Sequence, residues 1–303
     1  MKADIYQRVT RQIISAIEAG AGSYQMPWHN GSGIGAPANA FTGRTYRGIN
    51  TLLLWAEAHR VGYSSGRWAT YRQWDDRGCQ VRKGERSTSV MLWKPLAARH
   101  KANDGGEPQP DRLLARTFLL FNADQVDNYQ PERVAELNPG SRIKRAEDFV
   151  ALQPATVWHG SDTAFFDPAA DMVSMPSFAS FRSAEAFYSV LAHELTHWTG
   201  AKHRLDRDLS GRFGSEAYAM EELVAELGAA FTVAHLGLAC EPRTDHAPYI
   251  ASWLRVLGSD PRAIVTAAGR AQAAADYLIE LARVADTAAL QESSTTVELG
   301  AAA

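Results

Sequence analysis

Cysteine is scarce in this chain: 303 residues hold two, Cys79 and Cys240, far apart and neither in a C-x-x-C pair. That excludes a disulfide framework and fits a reducing cytoplasm, the expected location. No apolar run approaches the ~20 residues that cross a bilayer, so no membrane partner is expected. Met1-Lys2-Ala3-Asp4 opens no secretory signal. Internal repeats are lacking, as is any helix-turn-helix or zinc-finger pattern for reading duplex DNA. What remains, 46% hydrophobic and 21% charged, is an ordinary globular composition. Its length suits two domains, with either half able to bury a core of its own.

The net charge of −3 conceals an asymmetry. Residues 1–100 hold 14 Lys and Arg against 6 Asp and Glu, a balance of +8, and the remainder carries −11. Five of the eight tryptophans, Trp28, Trp55, Trp68, Trp74 and Trp93, fall in the same first hundred. A basic, aromatic-rich half beside an acidic half implies one nucleic-acid module and one module with other work. Single strands are held by a positive groove and by rings on which bases stack. Arg44, Tyr46, Arg47, Arg67, Trp68, Tyr71, Arg72, Trp74, Lys83 and Arg86 supply both ingredients. Trp68, Tyr71 and Trp74 recur at three-residue steps, so some of them face inward; Trp55 and Trp93, in apolar surroundings, read as core.

The acidic half carries His193-Glu194-Leu195-Thr196-His197, an H-E-x-x-H pattern. On a helix, positions i and i+4 share a face, so both imidazoles reach one cation. Glu194 beside the first of them is placed to accept a proton from a metal-bound water. Ser183 is the expected N-cap, Phe187, Val190, Leu191 and Trp198 the buried stripe, and Gly200 the stop. Two histidines do not hold zinc alone. A second amphipathic helix from about Ser215 carries Glu222 and Glu226 one turn apart, where two acids repel unless a cation or an imidazole N–H receives them. Glu222 is the expected third ligand, Glu226 the carboxylate that orients a ligand histidine, and Glu221 the alternative ligand. Zinc is the expected ion, with manganese or another divalent metal as alternatives. Tyr218, His235, Tyr249 and Tyr277 are candidates for stabilising an oxyanion.

His193 to Gly200 followed by Glu221 to Phe231 resembles the zincin-type peptidase domain of ArdC-family antirestriction proteins, which conjugative plasmids carry. Glu222 with an acid four residues on is also similar to thermolysin-like gluzincins. Thr45 to Asn50, Trp68 to Trp74 and Val81 to Glu85 resemble the single-stranded-DNA-binding domain that this family shares with TraC-type primases. The resemblance implies an antirestriction protein that binds single-stranded DNA, protects incoming plasmid DNA and carries a metallopeptidase domain acting on a host protein. The strand upstream of the zinc helix would then bind extended substrate. Two other readings stay open: a DNA-binding protein whose metal site is structural or inactive, and a peptidase whose basic half docks an acidic protein.

The expected fold is α+β in two domains. Residues 1–130 form the basic α+β domain, 131–144 a linker, 145–290 a mostly helical zincin-like domain with a small antiparallel sheet, and 291–303 a disordered tail. Helices are expected over residues 4–19, 50–60, 68–73, 245–257 and 261–285. Thr88–Trp93 and Ala115–Phe121 read as paired strands around a surface loop at His100–Asp111. Residues 163–166 and 172–175 read as a hairpin. Tyr24 to Asn39, rich in Gly, Pro, Ser and Asn, reads as a long functional or mobile loop.

Overall fold

A computed structural model describes residues 2–21, 26–29, 35–96, 112–130, 139–212, 214–241 and 247–301. The stripe of Ile5, Val9, Ile13 and Ile17 makes helix α1 (Lys2–Ala21), with Val9, Ile13 and Ile17 buried. Helix α2 (Ile49–Val61) starts after Gly48, whose φ of 55° is a left-handed conformation that glycine adopts without Cβ strain. The Gly48 N–H donates to Gln272 Oε1 at 2.9 Å, and Arg47 pairs with Asp276. Both contacts fasten this turn to the last helix of the chain.

Four strands form the first sheet: β1 (Ala38–Asn39), β2 (Arg67–Thr70), β4 (Thr88–Leu96) and β5 (Arg112–Asn122), in the order β1-β2-β5-β4. Only β1 and β2 run parallel. The expected pairing of the two long strands is present, from Thr88↔Leu120 to Leu96↔Arg112. The His100–Asp111 loop, linker residues 131–138 and the Trp93 side chain lie outside the described residues. The helix expected at Trp68–Gln73 divides. Trp68 to Thr70 pair with β5, and the helix α3 (Tyr71–Asp75) begins only after Thr70. Thr70 and Gln73 form a reciprocal capping box there, while the ladder takes the backbone groups of the preceding residues. Strands β3 (Gln80–Val81) and β6 (Val126–Asp127) pair as a separate short ribbon.

In the second half, α4 (Pro139–Ala151) leads to a sheet of β7 (Thr156–His159), β8 (Phe165–Asp167) and β9 (Met172–Met175). The expected hairpin is β8 and β9, in antiparallel register from Phe165↔Ser174 to Asp167↔Met172. Strand β7 joins β9 in parallel, so the sheet is mixed rather than wholly antiparallel, with β8 at one edge. Helices α5 (Ala184–Thr199), α6 (Glu216–Leu236), α7 (Ala247–Ser259) and α8 (Ala263–Ala301) follow. Ser183 and Ser215 cap α5 and α6 through their hydroxyls, as their positions predict. Helix α8 runs on through residues 291–301, where the sequence pattern predicts a disordered tail.

The largest apolar cluster belongs to neither half alone. Val9, Ile13, Trp28, Leu52 and Trp55 meet Leu191, Leu223, Phe231, Trp253 and Ala271 within it. The first sheet keeps two smaller clusters of its own, one around Trp68, Leu54, Val90 and Leu120, the other around Trp74, Ala69, Val81 and Val126. Helices α5 and α6 approach closely at Gly228, where an added Cβ would stand 2.5 Å from Thr196 Cγ2. That near-contact brings the histidine face of α5 against the acidic face of α6.

Candidate metal centre

His193 and His197 project from one face of α5, and Glu222 faces them from α6. The two Nε2 atoms lie 3.2 Å apart, and each is 3.6 Å from a different oxygen of Glu222. Donors bound at ~2.0–2.1 Å to a tetrahedral ion stand ~3.3–3.4 Å from one another. The nitrogen pair lies near that value and the carboxylate reaches each nitrogen with a different oxygen, so two imidazoles and one carboxylate converge closely enough to hold one divalent cation. Among the described residues this is the one cluster of three or more His, Cys, Asp or Glu donors so placed.

Each imidazole is backed by a carboxylate on its far side. Glu226 Oε2 lies 3.5 Å from His193 Nδ1. Glu221, the alternative ligand, instead places Oε1 3.2 Å from His197 Nδ1, and Arg207 holds the same carboxylate. Burial acts to raise the Glu221 carboxyl, yet the hydrogen bonds from His197 and Arg207 leave it below its ordinary value. For Glu222 burial again acts upward, and His193, His197 and Tyr218 outweigh it to hold the carboxyl at about 2. Glu222 therefore faces the site as a carboxylate.

These groups floor a cleft of ≈ 290 Å³. Glu194 lines it without belonging to the three converging donors. Ala164, Phe165 and Phe166 on or beside the edge strand β8 form one wall. Tyr218 and Tyr249 close another side with their hydroxyls 3.3 Å apart. Burial first, then Tyr249 and Glu222, push the Tyr218 phenol far up, so it stays protonated and donates. His235 and Tyr277 are not among the lining residues. His235 borders a groove with Arg145 and Phe231, and Tyr277 packs near Trp198.

Three residues here escape sequence reasoning. Arg207 sits in the loop after α5, with no spacing that ties it to Glu221. Trp28 and His29 come from the first half of the chain, and both donate to Glu226. Their signal is only compositional: an aromatic and an imidazole within a stretch of small and polar residues.

The residues expected to contact nucleic acid separate by burial. Trp68 and Trp74 are 0% exposed, which corrects their expected role in stacking on bases. Trp68 lies under the sheet against Leu54 and Leu120, and Trp74 donates from Nε1 to the Phe121 carbonyl at 3.2 Å. Burying a large indole outweighs leaving it on the surface, and both sites offer an apolar face. Tyr71 between them is 50% exposed. It shares a shallow basin with Arg82, Lys83 and Phe121. Tyr46 is half-buried and, with Arg47 and Arg67, lines a groove between the halves. Arg44, Arg72 and Arg86 are exposed outside both depressions. Cys79 and Cys240 are buried thiols, and among the described residues no helix is long and apolar enough to cross a membrane.

Comparison with known proteins points to one family. Residues 3–126 match the family model described as the N-terminal domain of anti-restriction factor ArdC, and residues 144–270 match that of a zincin-like metallopeptidase. The uncharacterized protein y4eC of Sinorhizobium fredii is 53% identical over 281 residues, 91% of either chain. DNA primase TraC of Escherichia coli is 36% identical over 295 residues, where this chain spans only 27% of the primase. Metal-free antirestriction ArdC protein from the R388 plasmid superposes with a TM-score of 0.74 at 37% identity, covering 92% of this chain and 98% of that one. Its Mn(II)-bound structure gives 0.72 at 38% identity, covering 91% and 97%. With a family model matched on each half and near-complete superposition on one solved member, the chain belongs to the ArdC family of antirestriction proteins.

Proposed function

We propose that this chain binds single-stranded DNA through the exposed basic residues and Tyr71 of its first half, and holds one divalent cation between His193, His197 and Glu222. Zinc is the ion the donor set suits best, and manganese, present in the R388 relative, is the alternative. The observation that carries the proposal is the convergence of two imidazoles and one carboxylate on the floor of a cleft that also presents Glu194. A structural site would be closed by a fourth protein ligand, whereas a hydrolytic one keeps a position open beside a general base.

A bound divalent ion supplies Lewis acidity and acidifies water. Glu194 accepts the attacking water's proton and returns it to the leaving amine. The Tyr218 hydroxyl, kept protonated, is placed to donate to the developing oxyanion. An extended peptide from a host protein adds to the edge of β8, pairing backbone to backbone along the cleft wall. The single-stranded DNA held by the other half is the incoming plasmid strand that antirestriction protects during conjugation. Metal content after dialysis and salt-dependent binding of a labelled oligonucleotide, on wild type and His193→Ala, test both halves together. The variant is expected to lose the metal and keep salt-sensitive DNA binding. A wild type with neither metal nor affinity overturns the proposal.

A further inference from the structure

We infer that the first half of the chain completes the metal centre: Trp28 and His29 are positioning residues that fix Glu226, and through it His193, for the cation. This rests on the metal reading above and deepens it.

Met26, Pro27, Trp28 and His29 fall in the stretch whose composition predicts a long loop, yet all four are buried. The Trp28 ring lies 6.2 Å from that of Trp253 in the shared core, which anchors the segment against the second half. His29 Nδ1 accepts the Met26 N–H at 3.0 Å. The proton of the neutral ring is thereby assigned to Nε2, which donates to Glu226 Oε1 at 2.7 Å. Trp28 Nε1 donates to the same oxygen at 3.2 Å. The other oxygen, Oε2, faces His193 Nδ1 at 3.5 Å. One carboxylate is thus held at one end by residues almost 200 positions away and presented at the other to a metal-facing histidine.

The physical need is plain. Glu226 is 3% exposed, and a buried carboxylate stays ionised only where donors or positive charge compensate its lost hydration. With Oε1 satisfied by these two donors, Oε2 is turned to His193 Nδ1 at 3.5 Å, which favours the ring orientation whose Nε2 faces Glu222. His29 itself stands outside the converging donor set, its Nε2 committed to Glu226.

The test measures zinc affinity of the full-length chain by competition with a chromophoric chelator, for wild type, His29→Leu, His29→Gln and Trp28→Phe. Thermal midpoints are recorded beside it in chelator, without metal. His29→Leu is expected to weaken zinc binding about 10–100-fold, the usual effect of losing an orienting partner. His29→Gln, which keeps an N–H at that position, should recover part of the loss. Trp28→Phe leaves an aromatic ring in the core and removes one donor, so it should weaken zinc binding of the folded protein, while the metal-free midpoint reports the packing lost with the larger ring. A merely structural role would lower the metal-free midpoint and leave the zinc affinity of folded protein at the wild-type value, and that result overturns the inference. Should His29→Leu fail to fold, wild-type affinity in both Trp28→Phe and His29→Gln overturns it equally. A wild type that binds no zinc or manganese refutes the metal reading instead, so the two failures are distinguishable.

Discussion

Arg207 and His197 hold the same carboxylate and share its Oε1. Arg207 Nη2 lies 2.9 Å from Glu221 Oε1, and Nε lies 3.1 Å from Oε2. The Arg207 and Glu221 side chains are 5% and 10% exposed. The guanidinium also ties back to α5 through the Thr196 carbonyl and the Thr199 hydroxyl. Removing one partner strands the other charge in a poorly hydrated site. Arg207→Met is therefore expected to cost about 3–5 kcal/mol of stability, measured by denaturant unfolding in chelator. Adding Glu221→Gln to it should recover much of that loss. Equal stability of Arg207→Met and wild type would show that the pair carries no such weight.

Gly228 sets the distance between the two helices that carry the candidate metal ligands. A Cβ there would lie 2.5 Å from Thr196 Cγ2 and 2.7 Å from its hydroxyl oxygen, deep in a packed interface. Gly228→Ala should push α6 away from α5, costing about 1–3 kcal/mol. It should also lower metal affinity, because Glu222 rides on α6 and the histidines on α5. The double variant with Thr196→Ala removes two of the three clashing atoms and should restore part of both. A fully stable, metal-binding Gly228→Ala would mean that the helices are not held at contact distance.

The helical part of this site is legible in the sequence because helix periodicity is rigid. The i, i+4 spacing of His193 and His197, the serine caps and the Glu222–Glu226 step dictate which side chains share a face, and the structure places those faces opposite each other. What the pattern lacks is any term for contacts between distant segments. Trp28, His29 and Arg207 reach the site from loops whose paths depend on the whole fold. Trp68 and Trp74 are misjudged for a related reason. The three-residue steps imply that some of these rings face inward without saying which; Trp68 sits on a strand and Trp74 on the following helix, and each meets a separate apolar cluster.

Asp171, at the turn between β8 and β9, links the hairpin to the end of α5. Arg204 Nη1 lies 3.0 Å from its Oδ2, and the same guanidinium sits 3.9 Å over the Trp198 ring. The Arg204 hydrogen bond holds the Asp171 carboxyl below its ordinary value. A carboxyl with a lower pKa folded than unfolded stabilises the fold above the unfolded value of about 3.9, and the contribution disappears as pH falls through the folded value. Asp171→Asn should thus melt below wild type at neutral pH, with the gap closing below about pH 4. Because Asp171 is 41% exposed, the gap should be small and should shrink in salt. A gap that widens on acidification would reverse the assignment.

Glu194→Gln separates metal binding from chemistry. The glutamine keeps the shape of the side chain in the cleft and cannot take up a proton. Bound metal should remain at the wild-type ratio, while hydrolysis of an unfolded protein substrate falls by about 10²–10⁴. Full proteolysis in the variant would remove Glu194 from the proposed role.

Tyr71 and Trp68, three residues apart, should answer alanine substitution in opposite ways. Tyr71 presents half its surface to solvent beside Lys83 and Arg82, so a base can stack on it and its phosphates can be neutralised nearby. Tyr71→Ala is expected to leave the thermal midpoint nearly unchanged and to weaken single-stranded DNA binding by about 1–3 kcal/mol. Lys83→Ala should instead flatten the salt dependence, since it removes one phosphate contact. Trp68→Ala opens a cavity beneath the sheet and should cost about 3–5 kcal/mol of stability. Any loss of DNA binding in that variant should follow its unfolding rather than precede it. If Trp68→Ala stays folded and loses DNA while Tyr71→Ala binds normally, the nucleic acid reaches the buried face of the sheet, and the surface assigned to it here is the wrong one.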